Sequence, residues 1–450
     1  EVAITGCDDV TSVTVPSEIE GKPVTTIAER ALSSKSKLLK VTLPDSVTTI
    51  ESRAFNDCSH LRSVDMGNGV KTIGTFAFSG CNELTSITLS ENLTEIGESA
   101  FNQCSALTEL ALPDSVATVG NGIFASCSKL KQVTLPNGLT SISESMFSDC
   151  SALTSVEIPD SVTSIGKYAF KNCVKLVNIS IPDSVTVISD GAFYGCKKLL
   201  SIHWAESLEQ INYEAFENCV SLEAITFPKT INTIGPSAFS DCTSLSSISF
   251  TDNNKGGAYV DIQSSAFSNC TALENISFSK NVRYLGDSSF SGCSSLTNVE
   301  LDDAITTIER FAFCNCSSLK SITLPSKLKK LGYSFIANTQ ITSLTIPAGL
   351  TTCTTGGSST YESQYGPLGG ANTLKELILE PGMEYIPDNL ARVESTSGTH
   401  LTSISIPDSV TTIGQYAFKN NAKLTNISFP DSVTVISDNA FSGCKKLISI

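Results

Sequence analysis

The sequence predicts a solenoid of the α/β type, mostly β, with a parallel β-sheet on one face and short extended or helical turns on the other. Two periodic observations and one constraint carry that expectation. A phenylalanine recurs every 23 residues at Phe55, Phe78, Phe101, Phe124, Phe147, Phe170, Phe193, Phe216 and Phe239, and returns at Phe267, Phe290, Phe313, Phe418 and Phe441. Three residues after each of the first nine comes a cysteine, and six after comes a leucine, from Cys58 and Leu61 to Cys242 and Leu245. A unit this short cannot bury its own apolar face, so neighbouring units must stack and share a core.

The unit reads Leu153-x-x-Val156-x-Ile158-Pro159-x-x-Val162-x-x-Ile165-Gly166-x-x-Ala169-Phe170-x-x-Cys173, with Leu176 opening the next. Leu-x-x-Val-x-Ile is a short strand whose alternate aliphatic side chains face one side. Proline after the strand lacks a ladder donor and stops the pairing. Pro-Asp-Ser-Val, at Pro44, Pro113, Pro159, Pro182, Pro407 and Pro430, is a turn in which Asp and Ser bond their own backbone. Val-x-x-Ile-Gly and Ala-Phe-x-x-Cys then return the chain across the far side as a bent extended piece and a helical turn. Counting the leading apolar position from Val10 to Leu447, with Ile341 as a variant, gives nineteen coils. Stacked at about 4.8 Å per strand they would extend roughly 90 Å.

The composition narrows the function. With 40% hydrophobic and 17% charged residues the chain can bury a core, and its apolar runs are too short for a membrane span. A formal charge of −15 and a pI near 4.7 oppose nucleic acid or an anionic lipid surface as partner. Only His60, His203 and His400 are available for histidine-based metal or triad chemistry. No catalytic residue, cofactor or metal is expected. The chain opens at Glu1 without an export signal and stops at Ile450 inside a repeat, so it reads as a segment of a larger protein.

The strand signature is that of leucine-rich repeats, and Pro-x-x-Val-x-x-Ile-Gly-x-x-Ala-Phe-x-x-Cys resembles the BspA-like class of that family. The opening Val15-Pro16-Ser17-Glu18-Ile19-Glu20-Gly21-Lys22-Pro23-Val24 is similar to the usual first coil of the class, five residues longer than later coils. The resemblance runs from Val10 to Ile450. It implies a right-handed leucine-rich repeat coil in a secreted or surface-attached microbial protein, used for adhesion to host proteins, other cells or glycans.

On this reading residues 1–450 are one solenoid. Residues 1–37 are the capping first coil, 38–350 regular repeats with an insertion at 251–258, 351–400 irregular coils, and 401–450 regular repeats that stop short. Insertions in a solenoid map to loops and binding rims. Four are present: the first coil, Thr251 to Ala258, Thr354 to Tyr365, and Arg392 to Thr399. The third carries Tyr361 and Tyr365, which offer stacking area with a polar tip. A block is also copied whole: residues 153 to 202 match 401 to 450 at 39 of 50 positions. Copying extends a surface and argues against a unique active site.

Thirteen of the sixteen cysteines share one coil position. Equivalent positions on adjacent coils have parallel Cβ vectors about 5 Å apart, beyond the ~3.5–4.5 Å of a disulfide. A ladder of buried thiols is therefore expected, with Asn421 and Ala371 replacing cysteine in two coils. Cys314 beside Cys316 lacks the second pair of a zinc site. Cys7 and Cys353 fall off the ladder and are the candidates for unusual thiol chemistry.

Outward strand residues should form the concave surface: Ser155 and Glu157, Asn178 and Ser180, Ser201 and His203, Ala224 and Thr226, Ser247 and Ser249, Asn275 and Ser277, Asn298 and Glu300, Ser321 and Thr323. From this face and the third insertion, Glu157, Asn178, His203, Asn275, Asn298, Glu300, Tyr361 and Tyr365 are the candidate ligand contacts. Short hydroxyl and amide groups suit a glycan or polar peptide, and equally suit a crowded sheet that bonds along itself. Trp204, beside His203, takes an inward position and reads as core. Acidic pairs such as Asp302-Asp303 lack calcium-loop spacing and read as solvated turns.

The expected function is thus a non-enzymatic, monomeric, extracellular or cell-surface binding module for a protein or glycan, acting by area and repetition. A structural spacer holding another domain away from the cell surface is the alternative. A glycan-processing enzyme would need two non-periodic carboxylates at hydrolytic spacing, whereas the acidic residues here fall mostly at turn or register positions.

Overall fold

The computed structural model describes residues 1–251, 259–278, 280–357, 364–393, 400–425 and 427–448. They form two compact units, Glu1–Leu222 and Glu223–Ile450, each a parallel β-solenoid. The expected strand at Leu-x-x-Val-x-Ile is present in nearly every coil. In the first unit Ser12–Thr14, Lys40–Thr42, Ser63–Asp65 and Ser86–Thr88 pair in sequence, Glu109–Ala111 pairs with Gln132–Thr134, and Asn178–Ser180 with Ser201–His203. After the longer first step of Ser12 opposite Lys40, their register advances by one 23-residue repeat, as in Glu109 opposite Gln132.

A second sheet, formed by the Ile of Val-x-x-Ile-Gly and the residue before it, is the less interrupted one. It runs through Val2–Ile4, Lys22–Ile27, Thr49–Ile50, Thr72–Ile73, Glu95–Ile96 and Thr118–Val119, then through Ser141–Ile142, Ser164–Ile165, Val187–Ile188 and Gln210–Ile211. In the second unit the leading sheet falls into Ala224–Phe227 with Ser247–Phe250 and Asn275–Ser277, Asn298–Glu300 with Ser321–Thr323, and Ser343–Ile346 with Glu376–Leu379 and Ser403–Ser405. The second sheet there is continuous from Thr233–Ile234 to Thr352–Cys353. These two-residue strands were expected only as a bent extended piece. Their pairing depends on a neighbouring coil, which no periodicity within one coil displays.

The far side corrects the sequence reading: it is built of turns, and no helix occurs among the described residues. Two residues per coil sit in the left-handed region, two before and two after the marker phenylalanine. Tyr168 (φ 56°) and Asn172 (φ 57°) flank Phe170 in this way. A left-handed residue at every fourth position breaks an α-helix, so the backbone bonds to the next coil instead: Phe170 N–H donates to Ala192 O at 2.7 Å and Asp149 N–H to Lys171 O at 2.7 Å. The later position is mostly Asn, Asp or Gly, as in Asp57, Gly80, Asp149, Asn172, Gly195 and Asn218. Those residues tolerate this conformation best.

The core is filled by equivalent residues in rows. Phe55, Phe78, Phe101, Phe124, Phe147, Phe170, Phe193 and Phe216 stack face to face in the first unit, with centroids 4.9 to 5.9 Å apart. Phe239, Phe267, Phe290 and Phe313 do the same in the second. The cysteine row is unbridged and, but for the half-buried Cys444, buried; its thiols donate to the carbonyl at the marker position of the preceding coil: Cys58 Sγ to Leu32 O at 2.9 Å, Cys81 to Phe55 O at 3.2 Å, Cys173 to Phe147 O at 3.2 Å, Cys293 to Phe267 O at 3.2 Å. Where Asn421 replaces cysteine, its amide takes over, donating to Ala391 O at 2.8 Å and Phe418 O at 2.8 Å.

One position breaks this economy. Ser289, fully buried where most coils carry alanine, leaves its hydroxyl without a hydrogen-bond partner. Ser289→Ala is expected to stabilise the fold by about 1–3 kcal/mol, seen as a higher urea midpoint with an unchanged denaturant slope.

Candidate binding surface

Because successive strand residues point to opposite sides, the leading sheet buries its Val and Ile and exposes its Ser, Thr, Asn and Glu. Asn178 and His203 lie exposed on this face in the first unit, and Ser201 Oγ donates to Asn178 Oδ1 at 2.8 Å along the row. Asn275, Asn298 and Glu300 are exposed in the second unit, on Asn275–Ser277 and Asn298–Glu300. Rows of hydroxyls bond from coil to coil there, as in Thr226 Oγ1 to Ser249 Oγ at 2.9 Å. The face therefore brings its candidates into rows within a unit and not into one convergent site.

Glu157 departs from expectation. It is exposed, but residues 154–159 are not a strand, and Ser155, Val156, Glu157 and Ile158 make no backbone hydrogen bonds. The ladder also parts between Ser86–Thr88 and Glu109–Ala111. Two open grooves lie over these partings. One, of about 520 Å³, is lined by Ser86, Thr88, Glu91, Glu109, Ala111 and Gln132 among others. The other, of about 760 Å³, is lined by Asp114, Gln132, Thr134, Ser155, Glu157 and Ser180 among others. The groove residues before Ser155 lie outside the sequence-derived set. The strand register marks Ser86, Thr88, Glu109, Ala111, Gln132 and Thr134 as outward-facing, but nothing in the sequence marks where the ladder parts.

The insertions divide differently. In the first coil Glu18–Ile19 folds back on Lys22–Ile27 as a hairpin, turning through Glu20 (φ 52°) and Gly21 (φ 72°). Positive φ at both central residues is what the favoured two-residue hairpin turn needs. In the third, Gly356–Gly357 pairs antiparallel with Gln364–Tyr365. Tyr365 is half-buried and meets Tyr333 edge to face with centroids 5.7 Å apart, so this tyrosine packs against its own unit. Tyr361 lies outside the described residues, as do most of the second and fourth insertions. Next to the second, Tyr259 is exposed with the Arg283 guanidinium over its ring at 5.1 Å, and Arg283 is paired with Asp261 at 2.9 Å.

Other candidates resolve into packing. Trp204 is half-buried and meets Phe216 edge-on at 5.4 Å. Asp302 accepts the Ala304 N–H at 2.9 Å and Asp303 the Ser326 N–H at 2.7 Å, and this backbone bond holds the Asp303 carboxyl below its usual range. Among the described residues no group of three His, Cys, Asp or Glu could hold a metal ion. Cys353 sits in the core register of the second sheet opposite Leu331. Cys7 is half-buried, and burial raises its thiol pKa against the lowering effect of Lys35.

Burial pushes the ladder thiols up, Cys127 and Cys196 to about 12. The native state holds these protons while the unfolded chain releases them near 9.0. Folding stability is therefore complete below pH 9 and falls as pH rises toward 12. The expected outcome is a melting temperature that drops above pH 9. Iodoacetamide at pH 8 should label Cys7 in the native protein and the buried ladder cysteines, Cys58 to Cys316, only after unfolding, as read by peptide mass.

The BspA type leucine-rich repeat region is matched in six copies, over residues 1–90, 48–177, 163–260, 257–363 and 373–450. No curated protein matches significantly. Among solved structures, a leucine-rich repeat protein from Bacteroides ovatus is 24% identical, covers 83% of this chain and 88% of its own, and superposes with a TM-score of 0.60. A leucine rich cell surface protein from Faecalibacterium prausnitzii is 28% identical over 78% of this chain and 88% of its own, with a TM-score of 0.43. The Treponema pallidum leucine-rich repeat protein is 33% identical over 37% of this chain and 78% of its own, with a TM-score of 0.37. The likeness to the first is one of fold. No helix among the described residues is long and apolar enough to cross a membrane.

Proposed function

Given that the chain belongs to the BspA type leucine-rich repeat family, we propose that it is a non-enzymatic binding module that works outside the cell or at its surface, engaging protein or glycan ligands with the outer face of its leading sheet. The observation that carries this reading is the repetition of exposed polar residues at one register position in coil after coil, as in Asn178 beside Ser201 and Asn298 beside Ser321. Such rows suit an extended ligand that meets the same chemistry at each step, with avidity gained from repetition. The grooves are open to solvent, which suits contact by area more than enclosure of a small substrate. Family membership supports display outside the cell.

An array of matrix proteins and glycans probed with three forms of the protein tests this. The double variant Asn275→Arg/Asn298→Arg should weaken binding roughly tenfold, equivalent to ~1.4 kcal/mol, while deletion of residues 354–364 should leave it unchanged. Loss on deletion alone would move the site to the third insertion. Silence across the array in all three forms would favour the spacer.

A further inference from the structure

We propose that the parted stretch of the leading sheet between Ser86 and Ser180 is a docking groove for an extended basic peptide; this deepens the binding reading above and rests on it. Three observations meet there. The strand ladder is interrupted on both sides of residues 155–158 and again between Ser86–Thr88 and Glu109–Ala111. Between the coils that carry the latter pair, the phenylalanine stack is at its widest, 5.9 Å from Phe101 to Phe124. At the partings the inward-facing Ile87 and Val156 are half-exposed, as Ile202 and Ile276 are on paired strands elsewhere, whereas Val41, Val64 and Val133 are buried. The grooves thus have an apolar floor and unpaired backbone groups, and they are continuous through the shared Leu112, Pro113, Gln132 and Thr134.

Charge selects the occupant. Glu91, Glu109, Asp114 and Glu157 line the grooves, and no Lys, Arg or His does. Asp114 is partly engaged, accepting the Asn137 N–H at 3.0 Å, while Glu91, Glu109 and Glu157 form no ion pair among the described residues. On an exposed face such carboxylates alone would be ordinary solvated groups. Over an apolar floor with open backbone donors and acceptors, they complement a chain that brings cations, apolar stems and its own amides. Lysine and arginine supply the first two together. Glu109 and Glu157 lie two coils and two strand residues apart, roughly 12 Å from the coil spacing and strand rise. That is about four residues of an extended or polyproline chain.

The test uses the full chain and a nonapeptide with lysine at every fourth position on a serine–proline background, titrated by fluorescence anisotropy. Its glutamate counterpart and a neutral oligosaccharide serve as controls. The lysine peptide should bind, weaken as salt rises because its charges become screened, and lose roughly tenfold in affinity to Glu91→Gln/Glu109→Gln/Glu157→Gln. These isosteric changes are exposed, and an unchanged melting curve shows that the variant is folded. Equal binding of the glutamate peptide, unchanged affinity in the triple variant, or binding of the oligosaccharide alone would overturn the proposal. Array ligands that still bind the triple variant would overturn it while leaving the broader binding function intact; an array silent for the wild type would sink both.

Discussion

Everything in each unit depends on keeping adjacent coils one strand-spacing apart. A parallel ladder sets that spacing at about 4.8 Å, and stacked phenylalanines must live with it: their centroids lie 4.9 Å apart at Phe193–Phe216 and up to 5.9 Å at Phe101–Phe124. The thiol row answers the same constraint. A side chain short enough to fit between coils must also satisfy a phenylalanine carbonyl that the turns leave exposed to the core. Cysteine does so as a small apolar group with a weak donor, and Asn421 keeps a donor there, its amide reaching both Ala391 O and Phe418 O, whereas Ala371 keeps only the small size.

The division of labour within a coil follows. Inward positions are fixed by packing, and turn positions by the left-handed backbone at residues such as Tyr168 and Asn172. The outward strand positions, the earlier left-handed turn position and the insertions are left to vary, and on the strands the hydroxyls, amides and carboxylates collect. The copied block illustrates how far a face can drift. Glu157 becomes Ser405 and Cys173 becomes Asn421 between the copies, while most of the core is kept, with exchanges such as Val156 for Ile404 and Ile181 for Phe429. Tyr168 is half-buried with Lys167 and Lys171 over its ring, whereas Tyr416 is buried with the Arg392 guanidinium 4.6 Å from its centroid.

The leading strands, the core rows, the thiol ladder and the first-coil insertion were legible because each is written as a fixed residue type at a fixed spacing. The far-side turns were half legible: Asn, Asp and Gly recur at the later left-handed position, but the earlier one is filled by residues as different as Arg53, Phe76 and Tyr168. Tyr365 looked like a free recognition residue and instead packs on Tyr333, a partner more than thirty residues away in sequence.

The sequence by itself determined the repeat, the coil, its buried rows and which residues face out, since all of these follow from side-chain alternation and the need to share a core. Only the tertiary structure decided which strands hydrogen-bond. Residues 153–159 and 401–407 are nearly identical, yet Ser403–Ser405 joins the ladder against Glu376–Leu379 while residues 155–157 stand outside it. Pairing needs the backbone of a neighbouring coil within reach and in register, and a local segment carries no record of its neighbour.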